Sequence, residues 1–308
     1  MVKVEQIGEY TGHRGSIFAM VVDADEHLAY SSGDDGVVAR WNLRGTPDLG
    51  EAVMKAGNAI YALALAEDLS YLAAGGSDGT VFIVDLKSND IVHTYRKTEG
   101  SVYGLYYEPH SQLLWILHAM GAFSVLHLGT FEERGYQRIA ENHLRSFEVD
   151  PETGYFFIGS SDHHIYCFDR QAAKIIRKWK AHDNSVFALK LHPAGKYLLS
   201  GGRDAYLNVW DLQHPELEAA QRIPAHNFTL NDIALSPNGD YLITASRDKT
   251  LKLWDAYQFD LLKVIDFTRH EGHKHSVNRV IWLNRDNSVV SCSDDRRILR
   301  WKITVEKR

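Results

Sequence analysis

The chain is 308 residues long, with 44% apolar and 24% charged residues, ordinary values for a globular protein that buries a core. Its 34 basic and 40 acidic residues give a net charge of −6 and no basic run, which argues against nucleic acid or an anionic membrane surface as partner. Met1–Gln6 carries no apolar signal core, no stretch approaches the ~18 apolar residues of a membrane span, and two cysteines (Cys167 and Cys292) do not make a disulfide scaffold, so a cytoplasmic setting is expected.

In chain order, a short segment over residues 2–10 precedes seven units. Unit one carries His13, Ser31, Asp35 and Trp41. Unit two keeps Asp78 but has Ala74 and Val84 at the Ser and Trp positions. Unit three aligns Leu117, Gly121 and His127 with Ser, Asp and Trp, and unit four has Ile158, Asp162 and Phe168. The full set returns in units five (His182, Ser200, Asp204, Trp210), six (His226, Thr244, Asp248, Trp254) and seven (His273, Ser291, Asp295, Trp301). The last position of the set recurs at steps of 43, 43, 41, 42, 44 and 47 residues. Length alone suggests about two domains. A period of this size filling the chain instead marks a repeat architecture and predicts one domain over 1–308.

Within a unit, short runs of β-formers alternate with Gly, Pro, Asn and Asp clusters, and no helix-length periodicity intervenes. Unit five shows this best: a run ending at Leu191, a turn at His192–Gly195, a run over Lys196–Ser200, a turn at Gly201–Asp204 and a run over Tyr206–Asp211. A further strand fits Lys174–Lys180 and its equivalents, making four per unit. Pro109, Pro151, Pro193 and Pro237 each follow a first strand, and Gly154, Gly195 and Gly239 supply positive φ in three of those turns. Such units must stack to bury their faces, and a closed ring leaves few exposed edges. Aligned on the histidines, Tyr10 matches Trp179 and Ile7 matches Ile176, so residues 2–10 are expected to supply the fourth strand of the last unit.

With Trp210-Asp211, Trp254-Asp255, Gly12-His13 and Gly272-His273 in register, the chain resembles the WD-repeat (WD40) family of β-propellers over essentially its whole length. The resemblance implies an all-β, seven-bladed propeller of four-stranded antiparallel blades. It also implies that each His, Ser/Thr, Asp and Trp set links strands within a blade. Seen once, Ser, His and Asp would suggest a nucleophilic triad. Four equivalent sets in one domain suit a buried hydrogen-bond chain instead, because indole only donates, hydroxyl and imidazole do both, and carboxylate only accepts. Units two to four lack the histidine in register and are expected to rely on apolar packing.

Other signals are weaker. His270-Glu271-Gly272-His273-Lys274-His275 has metal-ligand residue types, but His273 belongs to the repeat. Gly75-Gly76-Ser77-Asp78-Gly79 precedes a strand, without the helix a phosphate loop uses, and reads as a hairpin turn. Asn227-Phe228-Thr229 is a glycosylation sequon without a secretion signal.

Function is expected at positions that recur in place but vary in type. The residue after the apolar anchor of each first strand is Phe18, Tyr61, Tyr103, Arg145, Phe187, Asn231 or Asn278, and in the family this register opens toward the central channel. Residues before the tetrad Asp (Asp34, Arg203, Arg247 and Asp294) add charge around it, with Ser77 and Ser161 at the same register. Aromatics with Arg, ringed by polar groups, have the composition of an interaction surface. The leading expectation is a non-catalytic scaffold for a protein or peptide partner, monomeric by default and without cofactor. The alternative is a propeller enzyme with a metal or small-molecule site in the channel, for which His163, His164 and Asp162 form the one cluster in hand.

Overall fold

The computed structural model describes residues 2–305 except 46, 48, 194 and 215–218. The described residues form 28 strands in seven four-stranded antiparallel sheets, the blades of the all-β propeller that the repeat predicts. Blade five runs Val186–Leu191, Tyr197–Gly202, Tyr206–Asp211 and Ala219–Pro224, each strand hydrogen-bonded to the next. The strand expected at Lys174–Lys180 is the outermost strand of blade four. Among the described residues helix is confined to a 3-10 turn at Glu67–Leu69 and one turn at Phe267–His270, whose cap Asp266 accepts from the Arg269 N–H at 2.8 Å. The chain groups into two compact units: residues 10–144, and residues 1–9 with 145–308.

The last blade is ordered Val2–Thr11, Arg297–Val305, Ser288–Ser293, Val277–Trp282, so the N-terminal strand does supply its fourth strand. Val2 and Val4 pack on a core that includes Val280, Trp282 and Trp301. The alignment of Tyr10 with Trp179 has a physical counterpart. Tyr10 meets Trp41 edge-on at 6.1 Å, and Trp179 meets Trp210 edge-on at 6.0 Å.

The turns follow the predicted chemistry, with φ of +73°, +67° and +73° at Gly154, Gly195 and Gly239. A second recurrent turn joins the middle strands of every blade. Its left-handed residue is Gly36, Gly79, Gly121, His163, Ala205, Lys249 or Arg296, always immediately after the tetrad Asp position. At Gly79 and Gly121 a Cβ would also lie 2.1 Å from a carbonyl oxygen, of Thr98 and Ala140 respectively, so glycine is required there for space as well as for φ.

Blade three corrects the sequence alignment by one residue. Leu114 pairs with Leu126 and Ile116 with Ser124, as Leu198 pairs with Trp210 and Ser200 with Asn208. Leu126, Ile116 and Met120 therefore stand at the Trp, Ser and Asp positions, rather than His127, Leu117 and Gly121. The strand Leu113–His118 is apolar on both faces, and such a run does not fix its own register. His127 takes the place of the Asp in Trp-Asp. Its Nδ1 accepts from the Thr130 N–H at 3.2 Å, as the Asp211 carboxylate accepts from Gln213 at 3.0 Å.

Blade two relies on the expected apolar packing, with Ala56, Ala74 and Val84 in one buried cluster, while Asp78 still accepts from the Thr80 N–H at 3.1 Å. Blades three and four are different. In blade three Thr98 stands at the histidine register, and the fully buried His118 lies between Thr98 Oγ1 (3.1 Å from Nδ1) and Ser124 Oγ. In blade four Asp162 accepts from Tyr166 Oη at 2.5 Å and Lys178 Nζ at 3.2 Å. Burial pushes the His118 pKa down to about 4. The unfolded chain therefore takes up this proton near pH 6.5, well before the folded one. Stability carried by neutral His118 is complete above pH 6.5 and falls as pH drops toward 4. Urea unfolding at pH 6.5 and 4.5 should show His118→Gln losing about 2 kcal/mol less than the wild type over that interval; equal losses would assign the acid sensitivity elsewhere.

Candidate partner-binding site

The four full tetrads are hydrogen-bond chains of one design. Trp41, Trp210, Trp254 and Trp301 donate to Ser31, Ser200, Thr244 and Ser291 at 2.7, 2.9, 3.0 and 3.0 Å. Each hydroxyl lies 2.7–2.9 Å from the Nε2 of His13, His182, His226 or His273. Each Nδ1 faces Asp35, Asp204, Asp248 or Asp295 at 2.8–3.1 Å. Since the indole can only donate, the hydroxyl donates onward to Nε2 and the Nδ1–H donates to the carboxylate. Burial alone would raise these carboxyl pKa values. Hydrogen bonds from the histidine and from backbone N–H groups outweigh it and hold all four below the usual range. The hydroxyls and imidazoles of these four sets are buried.

The variable register has a structural cause. The pairing of first and second strands slips between Ile17 and Ala19, Ile60 and Ala62, Val102 and Gly104, Val186 and Ala188, Leu230 and Asp232, and Val277 and Arg279. Phe18, Tyr61, Tyr103, Phe187, Asn231 and Asn278 are thus β-bulge residues, and a bulge re-aims the side chain it carries. All six, and Arg145 at the same spacing in blade four, are half-buried.

Within residues 10–144 the bulge side chains form a continuous stack. Phe18 and Tyr61 lie 5.2 Å apart, Tyr61 and Tyr103 5.7 Å, and Tyr103 and His143 6.4 Å, ring centre to ring centre. Burial raises the Tyr61 pKa, and Tyr103 and the Asp34 carboxylate add to the effect. Asp34 is exposed and forms no ion pair among the described residues, its N–H being bonded to Ser16 O at 2.8 Å. His143 extends the stack beyond the predicted set. It lies just before the strand Leu144–Val149, outside the once-per-unit position that singles out the others.

Within residues 145–308 the register is more polar. The Arg145 guanidinium lies 5.7 Å from the Phe187 ring centre, and its Nε donates to Ser161 Oγ at 2.8 Å. Arg203 and Arg247 are exposed at equivalent places in blades five and six, their N–H groups bonded to Ser185 O and Thr229 O, both at 2.9 Å. Asn231 and Asn278 serve the fold: Asn231 Nδ2 donates to Val277 O at 2.8 Å, and Asn278 Nδ2 to Asp294 Oδ1 at 2.7 Å. Of the rival metal cluster, Asp162 is engaged as described and His163 is a left-handed turn residue. Among the described residues no group of three His, Cys, Asp or Glu is placed to hold a metal ion, and no helix is long and apolar enough to cross a membrane.

One group of residues escaped sequence reasoning. Glu148 accepts from the Leu191 N–H at 3.0 Å and pairs with Lys190 at 3.1 Å. Asp232 accepts from the Val280 N–H at 2.9 Å, with Arg279 at 3.7 Å. These charges on first strands join blade four to five and six to seven. Their signal was charge at positions that other units fill with apolar residues.

The WD40 family (WD domain, G-beta repeat) matches residues 4–42, 52–85, 173–211, 218–255 and 265–302. The chain belongs to the WD40 family. The matched segments omit most of blades three and four, where His118 and Tyr166 replace the usual chain. Among curated proteins the chain is similar to Striatin-4 of Mus musculus, 26% identical over 253 residues, covering 72% of this chain and 32% of that protein. Striatin-3 of Rattus norvegicus is 25% identical over 248 residues, covering 72% and 30%. The chain thus spans about a third of the length of the curated relatives it matches. Among solved structures, the WD40 β-propeller domain of Doa1 matches over 97% of both chains with a TM-score of 0.83 at 18% identity, a likeness of fold.

Proposed function

We propose that this WD40 chain acts as a single-domain, non-catalytic interaction scaffold. It docks a protein or peptide partner on the bulge-register side chains, with Phe18, Tyr61 and Tyr103 as the anchor. The observation that carries this reading is the contiguous half-buried stack those three rings make. Rings that only sealed a core would be buried like Trp41. Rings that keep one side open offer stiff apolar area at little entropic cost, the profile of an interface anchor. Taken by themselves, the exposed Arg203 and Arg247 of residues 145–308 offer forked donors for acidic groups. Family membership supports the reading, since the repeat sets serve as blade supports and leave the variable register for recognition.

The test is affinity capture from the native host with quantitative mass spectrometry. Phe18→Ala and Tyr103→Ala should each reduce captured partner at least tenfold, and Arg203→Ala by a smaller factor, with the thermal midpoint within a few degrees of wild type. Full retention by folded Phe18→Ala and Tyr103→Ala would remove the ring stack from consideration, and full retention by Arg203→Ala would remove that arginine.

A further inference from the structure

We infer that the group received by the aromatic stack of blades one to three is an arginine side chain, seated on the Tyr61 and Tyr103 rings with its charge toward Asp34. This rests on the docking reading above and names the chemistry of the anchor residue.

The chain carries its own example of the contact. In blades four and five, Arg145 and Phe187 occupy the same register, and the guanidinium lies over the ring at 5.7 Å. In blades one to three every member of the register is aromatic, so the rings lean on one another, and Tyr103 also on His143. A planar, weakly hydrated guanidinium stacks on such faces, and attraction to the ring quadrupole grows as water is excluded. Asp34 supplies the counter-charge. It is exposed, unpaired among the described residues, and close enough to Tyr61 to disfavour ionisation of the phenol.

The alternatives are weaker. An acidic side chain would meet Asp34 and the negative ring faces. A purely apolar one would bury Asp34 without a partner, which costs more than the added contact returns. A lysine ammonium satisfies the charge but is more strongly hydrated and lacks the planar face. Arg14, on the first loop of blade one, opposes the field in part, while Glu99, at the equivalent place in blade three, adds to it.

The experiment uses the full chain with ring-labelled tyrosine and follows the Tyr61 and Tyr103 resonances, assigned through single Tyr→Phe variants. The probes are the N-acetyl methylamides of arginine, citrulline and leucine. The arginine amide should shift both rings saturably. Citrulline, the neutral isostere, should bind at least fivefold more weakly, and Asp34→Asn should weaken arginine alone by a similar factor. Equal binding of citrulline or leucine, or indifference to Asp34→Asn, overturns the assignment. If that happens while Phe18→Ala and Tyr103→Ala still lose captured partner, the docking surface stands and only the arginine falls. If those variants keep their partners, the docking reading falls and the arginine with it.

Discussion

Removing residues 1–10 should lower the thermal midpoint by roughly 10 °C or more, a far larger effect than the loss of ten exposed residues would have. The strand Val2–Thr11 carries alternating half-buried and exposed side chains, with the fully buried Tyr10 next to its end. Without it the strand Arg297–Val305 becomes an open edge, its backbone donors and acceptors exposed along one side. Val2 and Val4 also leave the Trp282 and Trp301 cluster, and Trp41 loses its edge-on partner. Several kcal/mol of apolar contact and strand pairing disappear together. Scanning calorimetry measures the shift, and size-exclusion chromatography should show the exposed edge as self-association. Adding residues 1–10 back as a peptide should recover part of the midpoint. A truncated protein with an unchanged midpoint would mean that the last blade does not depend on its fourth strand.

That strand was legible because a repeat leaves a remainder: Tyr10 and Ile7 fell into register with Trp179 and Ile176, and a strand displaced to the other end of the chain still carries its pattern. The full tetrads were legible for the same reason, since four copies at fixed spacing cannot all be chance. Blade three was not. Once its Trp and Asp were gone, the only guide was a run apolar on both faces, and the alignment slipped onto His127, one residue past Leu126. His118 escaped because its partners, Thr98 and Ser124, sit at places that hold other side chains in the remaining blades. The recurrence of the candidate register marks a position in each blade but does not reveal that the position is a bulge. Bulges are set by hydrogen-bond pairing between strands, which leaves no residue-type signature in Phe, Tyr, Arg and Asn. For the same reason Asn231 and Asn278 looked available from sequence, although their amides bond back into the fold.

The second large effect belongs to the tetrad carboxylate of blade six. Asp248 accepts from His226 Nδ1 at 2.9 Å, the Asn227 N–H at 3.1 Å, the Thr250 N–H at 3.0 Å and Thr250 Oγ1 at 2.6 Å. Asp248→Ala strands those donors in a site where water has little access, and should cost on the order of 3 kcal/mol in urea unfolding at pH 7. Asp248→Asn keeps an acceptor oxygen and should cost about half as much. The pH dependence separates charge from shape. Burial would raise the Asp248 pKa, but the donors, His226 first, hold it well below its unfolded value. Its contribution is therefore complete above pH ~4 and is lost as pH falls further. His226, pushed down mainly by burial, adds a loss that begins below pH ~6.5, in the same direction. Both Asp248 variants should lose the steep limb below pH 4 while keeping a shallower one above it. Asp162 provides a comparison, since its nearest side-chain partners are Tyr166 and Lys178, with His164 Nδ1 farther off at 3.6 Å. Asp162→Ala should leave the decline between pH 6.5 and 4 untouched. If Asp248→Ala kept the full wild-type limb below pH 4, the carboxylate's charge would contribute nothing there, and the blade-six tetrad would hold by shape alone.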